Sequence, residues 1–200
     1  MALDETVAES VAASPLAMVV TNPRRPDNPI EIANEAFCAL TGYAEGDVIG
    51  RNCRFLAGDA TEPAVQAQIR AAVAGKRPVL VDILNYRRDG SPFRNGVMIA
   101  PLFNSDGELH YFLGSQVDLG SDEDAGLSMR RARAAALVAE LPLRQRQVLE
   151  AMAKGALNKQ IAYELGIAEK TVKMHRMLLL ERLGGLTSAE AIRIAVEAGL

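Results

Sequence analysis

Cysteine and histidine are scarce in this sequence, with two of each among 200 residues. Cys38 and Cys53 show no CxxC spacing, no HExxH motif occurs, and His110 and His175 lie far from both cysteines and from each other. The expectation is therefore no metal site. The two cysteines are too few for a disulfide framework, and a cytosolic chain keeps its thiols reduced. No apolar run reaches the length of a bilayer span, and the first residues lack the basic start and apolar core of a signal peptide. A cytoplasmic chain with no membrane partner is expected.

The net charge of −3 conceals an asymmetry. Residues 1–125 hold 10 Lys and Arg against 18 Asp and Glu, a net of −8, whereas residues 126–200 hold 12 against 7, a net of +5. An acidic front and a basic back imply two domains with different partners, and the basic one is the candidate for nucleic acid. A +5 module is more often simply a solvated surface, so the motifs must decide.

The front reads as mixed α and β. "LAMVVT" and "PIEI" are short apolar runs joined by the turn-rich "NPRRPDNP", which suits a hairpin. "NEAFCALTGY" has an Asn start, helical apolar spacing and a Gly stop. A second helix is expected from Thr61 to about Gly75, with Val65, Ile69 and Val73 four apart. Three longer strands follow, "PVLVDILNYRR", "PFRNGVMIAPLF" and "ELHYFLGSQVDL", separated by turns containing Asp89-Gly90 and Asp106-Gly107. The fold class is α+β: a five-stranded antiparallel sheet with helices, followed by an all-α domain. "GSDEDAG" reads as an acidic linker, "LSMRRARAAALVAEL" as a connecting helix, and residues 143–153, 158–165, 169–183 and 187–198 as four shorter helices.

Strand alternation assigns faces. Val79, Val81, Ile83 and Asn85 share a face of their strand, as do Phe93, Asn95, Val97 and Ile99 of theirs; Phe112, Gly114 and Gln116 go together; Thr21 ends the row begun by Ala17 and Val19. Each long strand thus carries one carboxamide on an otherwise apolar face. A buried amide without partners costs about 1–3 kcal/mol. Either the amides satisfy one another or the backbone, or a ligand with several donors and acceptors lies across the sheet. Gly114 would leave room for a flat ring. Arg54 and Arg70 could hold a phosphate together; singly, each suits a surface position. The opposite sheet face is also apolar, with Leu16, Met18, Val20, Leu80, Leu84, Met98, Leu102, Leu109, Tyr111, Leu113 and Val117, and needs a cover.

"GRNCRFL" (residues 50–56), followed by Arg70, Asn85, Asn95 and Gln116, resembles the LOV family, the flavin-binding branch of PAS domains, over roughly residues 14–118. The resemblance implies a non-covalently held flavin, FMN with FAD as the variant. Arg54 and Arg70 would hold its phosphate, Asn85 and Asn95 the pyrimidine edge, and Gln116 would lie beside N5. Thr21, Asn28, Asn52 and Leu56 match further pocket positions. Cys53 matches the photoactive cysteine, whose sulfur bonds reversibly to flavin C4a under blue light. N5 then gains a proton, and the Gln116 amide can answer by rotating. Two departures stand out: Ala57 and Val97 occur where many relatives carry a glutamine and an aromatic.

"NKQIAYELGIAEKTVKMHRMLLLERLG" (residues 158–184) has the helix-turn-helix layout, and residues 141–199 resemble the LuxR/FixJ-type DNA-binding domain. Gln145 and Gln147 stand where that family often has glutamates. The resemblance implies double-stranded DNA as partner, with Lys173, Met174 and Met177 facing bases and Lys159, Thr171, His175 and Arg176 near phosphates. The stripe Ile192, Ala195, Val196 and Gly199 on the last helix would be a dimer contact. The expected domains are 14–118 for the photosensor, 119–140 for the linker and connecting helix, and 141–200 for DNA binding. The leading expectation is a blue-light-regulated transcription factor without enzymatic turnover, a homodimer in the light. The helical domain would dock on the apolar sheet face in the dark and be released when Cys53 bonds the flavin. The bland alternative has "LSMRRARAAALVAEL" covering the sheet in a permanent dimer. A flavin redox enzyme and a redox- or ligand-sensing constitutive DNA binder are the other classes.

Overall fold

The computed structural model describes residues 5–120 and 123–200. Helix α1 (Glu5–Ala12) leads into β1 (Ala17–Thr21) and β2 (Ile30–Ala33), then α2 (Glu35–Thr41), α3 (Glu45–Val48), a 3-10 turn (Cys53–Leu56) and α4 (Pro63–Ala74). Strands β3 (Val79–Tyr86), β4 (Pro92–Phe103) and β5 (Leu109–Gln116) complete a five-stranded sheet of order β2-β1-β5-β4-β3. Every neighbouring pair is antiparallel. β5 therefore lies at the centre, flanked by β1 and β4.

Helix α5 (Glu123–Ala139) begins inside the segment read as linker, of which Ser121 and Asp122 lie outside the described residues. Helices α6 (Leu143–Ala153), α7 (Asn158–Leu165), α8 (Glu169–Arg182) and α9 (Ser188–Glu197) follow the expected punctuation closely. The Thr187 side chain accepts from the Glu190 backbone N–H, and Glu190 accepts from Thr187 in return, a reciprocal cap that fixes where α9 starts.

The sheet separates two unlike environments. On one side, Ala17, Val19, Ile30, Phe37, Val48 and Leu56 form one apolar cluster, while Ala72, Val79, Val81, Ile83 and Val97 form another. On the other side a single core runs continuously from the strands into the helical domain: Met18, Val20, Met98, Tyr111 and Leu113 belong with Val148, Leu149, Ile161, Leu179 and Ile192. The apolar outer face is thus covered by the helical domain, through α9, and α5 lies against α9.

Helix α1 was not anticipated from the sequence. Val11 on it is fully buried, and Asn34 fastens the segment by donating to the carbonyls of Val11, Ser14 and Leu16 at 3.0, 3.1 and 2.8 Å. Ser10 Oγ accepts from the Ala189 N–H at 3.0 Å, so α1 touches the start of α9 as well as the sheet.

At Gly155 the two backbones meet directly, the Phe103 N–H donating to the Gly155 carbonyl at 3.3 Å. Its φ is +82°, and a Cβ there would lie 2.2 Å from the Pro101 carbonyl oxygen. Gly185 has a similar φ of +77° but nothing within 4 Å of a built Cβ. Gly155→Ala and Gly185→Ala should each cost about 1–2 kcal/mol from the left-handed backbone. Only Gly155→Ala should also loosen the contact with the sheet. Hydrodynamic radius checks this: it should rise for Gly155→Ala and stay at the parental value for Gly185→Ala.

Candidate functional site

The gap between the two apolar clusters is a cavity of about 650 Å³. Thr21, Asn28, Asn52, Cys53, Arg54, Leu56, Arg70, Asn85, Asn95 and Gln116 all line it. They arrive from β1, the β1–β2 loop, the 3-10 turn, α4 and the three long strands, so distant stretches converge on one volume.

The amides are partly self-satisfied. Asn95 Nδ2 donates to Asn85 Oδ1 at 2.9 Å, and Asn85 Nδ2 donates to the Leu84 carbonyl at 3.1 Å. Asn95 Oδ1, Gln116 Oε1 and Asn28 Oδ1 are buried and have no hydrogen-bond partner. Groups of this kind are costly to bury. Both possibilities raised by the sequence are therefore realised: two amides bond each other, and acceptors remain over. Amide oxygens left over around an apolar-walled space fit the edge of a flat heterocycle such as a flavin.

Gly114 has a reason beyond making room. A Cβ would lie 2.9 Å from Val19 Cγ2 and 3.5 Å from Gln116 Nε2. A side chain there would press on β1 and on the glutamine amide. Gly58 is likewise dictated by a neighbour, since a Cβ would meet the Tyr86 ring at 2.5 Å.

The β1–β2 loop contributes more than expected. Asp27 and Asn28 have φ of +70° and +49°, a conformation that Asn and Asp tolerate better than most residues. Asn52 caps the 3-10 turn by accepting from Arg54 N at 3.0 Å, and its Nδ2 donates to the Asp27 carbonyl at 2.6 Å. Its side chain thus fixes the position of Cys53 relative to the loop. Arg54 pairs with Asp27, and Arg25, which also lines the cavity, pairs with Glu31 at 3.1 Å. Arg70 is exposed at the cavity edge. The arginines thus sit on one cavity, with Asp27 as a carboxylate that a phosphate would have to displace from Arg54.

Cys53 is surrounded by apolar groups, and burial pushes its thiol up to about 12. The Cys38 thiol is also raised, by burial first and then by Glu45 and Glu35. Both cysteines are free thiols.

In the helical domain, Gly166 ends α7 in the left-handed region and turns the chain into α8. Ile161, Ala162, Val172, Leu179 and Leu183 are buried, with Leu165 and Ile167 packed partly against them. Lys159, Lys173, Met174 and Met177 are exposed; Thr171 and His175 are half-buried. Lys173 lies 3.4 Å from Glu169 one turn earlier. Arg176 donates to Asn158 Oδ1 at 2.7 Å and Ser188 Oγ at 3.0 Å, bracing α8 against α7 and α9.

The PAS domain family matches residues 15–121, and the LuxR family of bacterial regulatory proteins matches residues 139–195. The chain belongs to the PAS domain family. A blue-light-activated histidine kinase of Rhizobium johnstonii is 50% identical over 115 residues, 58% of this chain and 33% of the kinase. The light-state structure of the blue-light photoreceptor Aureochrome1 LOV is 33% identical, covers 64% of this chain and 98% of that one, and superposes with a TM-score of 0.54. The light-state dimer of the fungal blue-light photoreceptor Vivid is 30% identical, covers 52% of this chain and 78% of that one, with a TM-score of 0.51. The chain spans about a fifth to a third of the length of the curated relatives it matches. Its architecture is a LOV-type PAS domain followed by a LuxR-type helix-turn-helix.

Two charged residues of α9 escaped the sequence reading. Arg193 and Glu197 are buried, joined at 2.6 Å, and Arg193 also donates to Ser115 Oγ at 2.8 Å and faces the Gly96 carbonyl at 3.4 Å. Burial pulls the guanidinium below its ordinary value, against the pull of Glu197. Of the stripe expected for dimerisation, Ile192 and Ala195 are buried, Val196 is half-buried and Gly199 is exposed.

The raised Cys53 thiol has a consequence for stability. An unfolded thiol ionises near about 8.5, whereas the folded one holds its proton to about 12. Between those values the unfolded state binds fewer protons, so stability falls as pH rises. Cys53→Ala should lose this alkaline decline, a difference from the parent of up to about 2 kcal/mol near pH 10. Urea midpoints from pH 8 upward check it; Cys38 is present in both chains and cancels.

Proposed function

We propose that the chain is a blue-light-regulated transcription factor in which a flavin, FMN in the first instance, sets whether the helix-turn-helix is held or free. The observation that carries this reading is the pair Ser115 and Gln116. Adjacent residues on a strand face opposite sides. Gln116 lines the cavity, and Ser115 accepts a hydrogen bond from Arg193 of the docked helical domain. A change at one face is therefore one peptide away from the contact at the other.

A bound flavin supplies blue-light absorption and an electrophilic C4a. Cys53, held as a thiol, would face the ring as the residue that can offer a sulfur nucleophile together with its proton, with no net oxidation and no substrate consumed. Gln116 Oε1, an acceptor without a protein partner, would face the bound ring, and its amide can turn to present either a donor or an acceptor there. Strand β5 shifts beneath Ser115, Arg193 loses its register, and docking weakens. Freed α9 pairs with a second copy, giving a light-state homodimer; the Vivid light-state dimer supports pairing through a LOV-type chain. Two recognition helices on double-stranded DNA bind more tightly than one. Lys173, Met174 and Met177 are proposed as base readers, and Lys159, Thr171 and His175 as phosphate contacts. Arg176 is better read as bracing α8, given its bonds to Asn158 and Ser188. The helical cover through α9 favours this release reading over a sheet covered by α5.

Cys53→Ala should retain flavin but lose the light-driven, dark-reversible bleaching of its blue absorbance; a variant that still bleaches reversibly removes Cys53 from this role. Arg193→Ala leaves the Glu197 carboxylate buried beside the sheet without its hydrogen-bonded guanidinium, a penalty of about 3–5 kcal/mol. Undocking hydrates it. Size-exclusion and DNA-binding measurements should find Arg193→Ala dimeric and DNA-competent in the dark. A dark monomer with parental light response would exclude the Arg193 contact as the restraint.

A further inference from the structure

Three arginines line the proposed flavin cavity: Arg54 and Arg70, expected there from the sequence, and Arg25 of the β1–β2 loop, which no motif pointed to. Arg25 arrives there because two consecutive arginines part company. Arg24 donates through its backbone N–H and its Nε to Oδ1 of the buried Asn22, at 3.0 and 3.2 Å. Its guanidinium lies 5.0 Å over the ring of Tyr111, which belongs to the outer-face core. Arg25 lines the cavity instead. Its N–H donates to the Asn22 carbonyl at 3.2 Å, and its own carbonyl accepts from the Asn28 N–H at 3.2 Å. Its backbone is thus tied to a buried residue on one side and to a cavity residue on the other. The Arg25 Nε lies 3.1 Å from Glu31 Oε1, with 67% of the arginine side chain exposed. A pair so exposed commits the guanidinium weakly, and Glu31 keeps the Asn22 Nδ2 donor at 2.9 Å when Arg25 turns to another anion.

Charge gives the third arginine a task. Among the described lining residues the charged groups are Arg25, Arg54 and Arg70 against Asp27, three cations less one anion, a net of +2. A phosphate monoester carries about −1.5 to −2 near neutral pH. Asp27 already engages Arg54, so Arg54 and Arg70 offset by that carboxylate supply only +1. Arg25 makes up the difference.

We propose that Arg25 is a third ligand of the flavin's ribityl phosphate and sets the preference of this chain for FMN over unphosphorylated riboflavin. A guanidinium presents a planar fork of donors suited to phosphate oxygens, and its pull on riboflavin, which has no phosphate, is small. The carboxamides that would face the ring, Asn85, Asn95 and Gln116, stand on β3, β4 and β5, so ring recognition does not pass through the loop. The assignment rests on the flavin reading above and adds to it the residue that selects the phosphate.

The flavin-loaded full chain is dialysed in the dark against an equal, large excess of FMN and riboflavin, and the bound flavins are separated and quantified once free flavin is removed. The bound ratio is the ratio of the two affinities. The parent should hold mainly FMN. In Arg25→Ala the FMN-to-riboflavin ratio should fall about tenfold, the size of one charge-assisted contact, with total flavin per chain and dark-reversible bleaching unchanged. Arg24→Ala removes the same charge one residue away, from a side chain that is not among the described lining residues, and should keep the parental ratio. A parental ratio in Arg25→Ala removes Arg25 from the phosphate. An equal fall in Arg24→Ala assigns the effect to the general charge of the loop, and a loss of total flavin at an unchanged ratio assigns Arg25 to the loop's structure; either overturns the proposal. A parent chain that takes up neither flavin overturns the flavin reading itself, and the role of Arg25 with it.

Discussion

A buried guanidinium at a domain boundary is an unstable choice unless every partner is in place, and Arg193 has Glu197, Ser115 Oγ and the Gly96 carbonyl around it. Taking an arginine and a glutamate out of water costs several kcal/mol each, so such a pair contributes little net stability but loses heavily when one contact goes. This makes it a good restraint for a switch. Apolar contacts across the seam supply the bulk of the attraction and tolerate small shifts. The Arg193 bonds do not, because hydrogen bonds weaken steeply with distance and angle.

The sheet is what lets the two sides communicate. β5 is its central strand, paired to β1 through Ala17–Gln116 and to β4 through Met98–Ser115. Gly96 sits beside Asn95 on β4 and exchanges backbone hydrogen bonds with Val117 at 2.8 and 3.2 Å. Both sheet residues that meet Arg193 are therefore chain neighbours of cavity amides, Ser115 of Gln116 and Gly96 of Asn95. The two apolar clusters that bound the cavity are separate, so the space between them can respond to an occupant without breaking either core. On the outer face the core is continuous with the helical domain, so a few kcal/mol at the polar contact is enough to bias docking if the two states are nearly balanced.

Much of this was legible in the sequence, for definite reasons. Alternation in β3, β4 and β5 assigned Asn85, Asn95 and Gln116 to one face, because successive strand residues point to opposite sides of a sheet whatever covers each side. Glycine punctuation located α7 and α8 closely. What stayed hidden was long-range. Helix α1 is short and lies far in sequence from the groups that fix it, Asn34 and the backbone of Ala189. Arg193 and Glu197 interrupt an apolar helix with charges that read as solvent-facing; only the opposing Ser115 and Gly96 give them a buried role. The pairing of Arg54 with Asp27 depends on a left-handed turn in the β1–β2 loop that composition alone does not specify.

Release of the helical domain requires a change in the distance between the two domains. Spin labels at exposed Asp89, on the β3–β4 turn, and exposed Glu164, on α7, would report it in the flavin-loaded chain. The account predicts one narrow distance distribution in the dark, a longer and broader one under blue light, and recovery of the first as the flavin absorbance returns. An identical distribution in dark and light, recorded while the flavin absorbance is bleached, would contradict it.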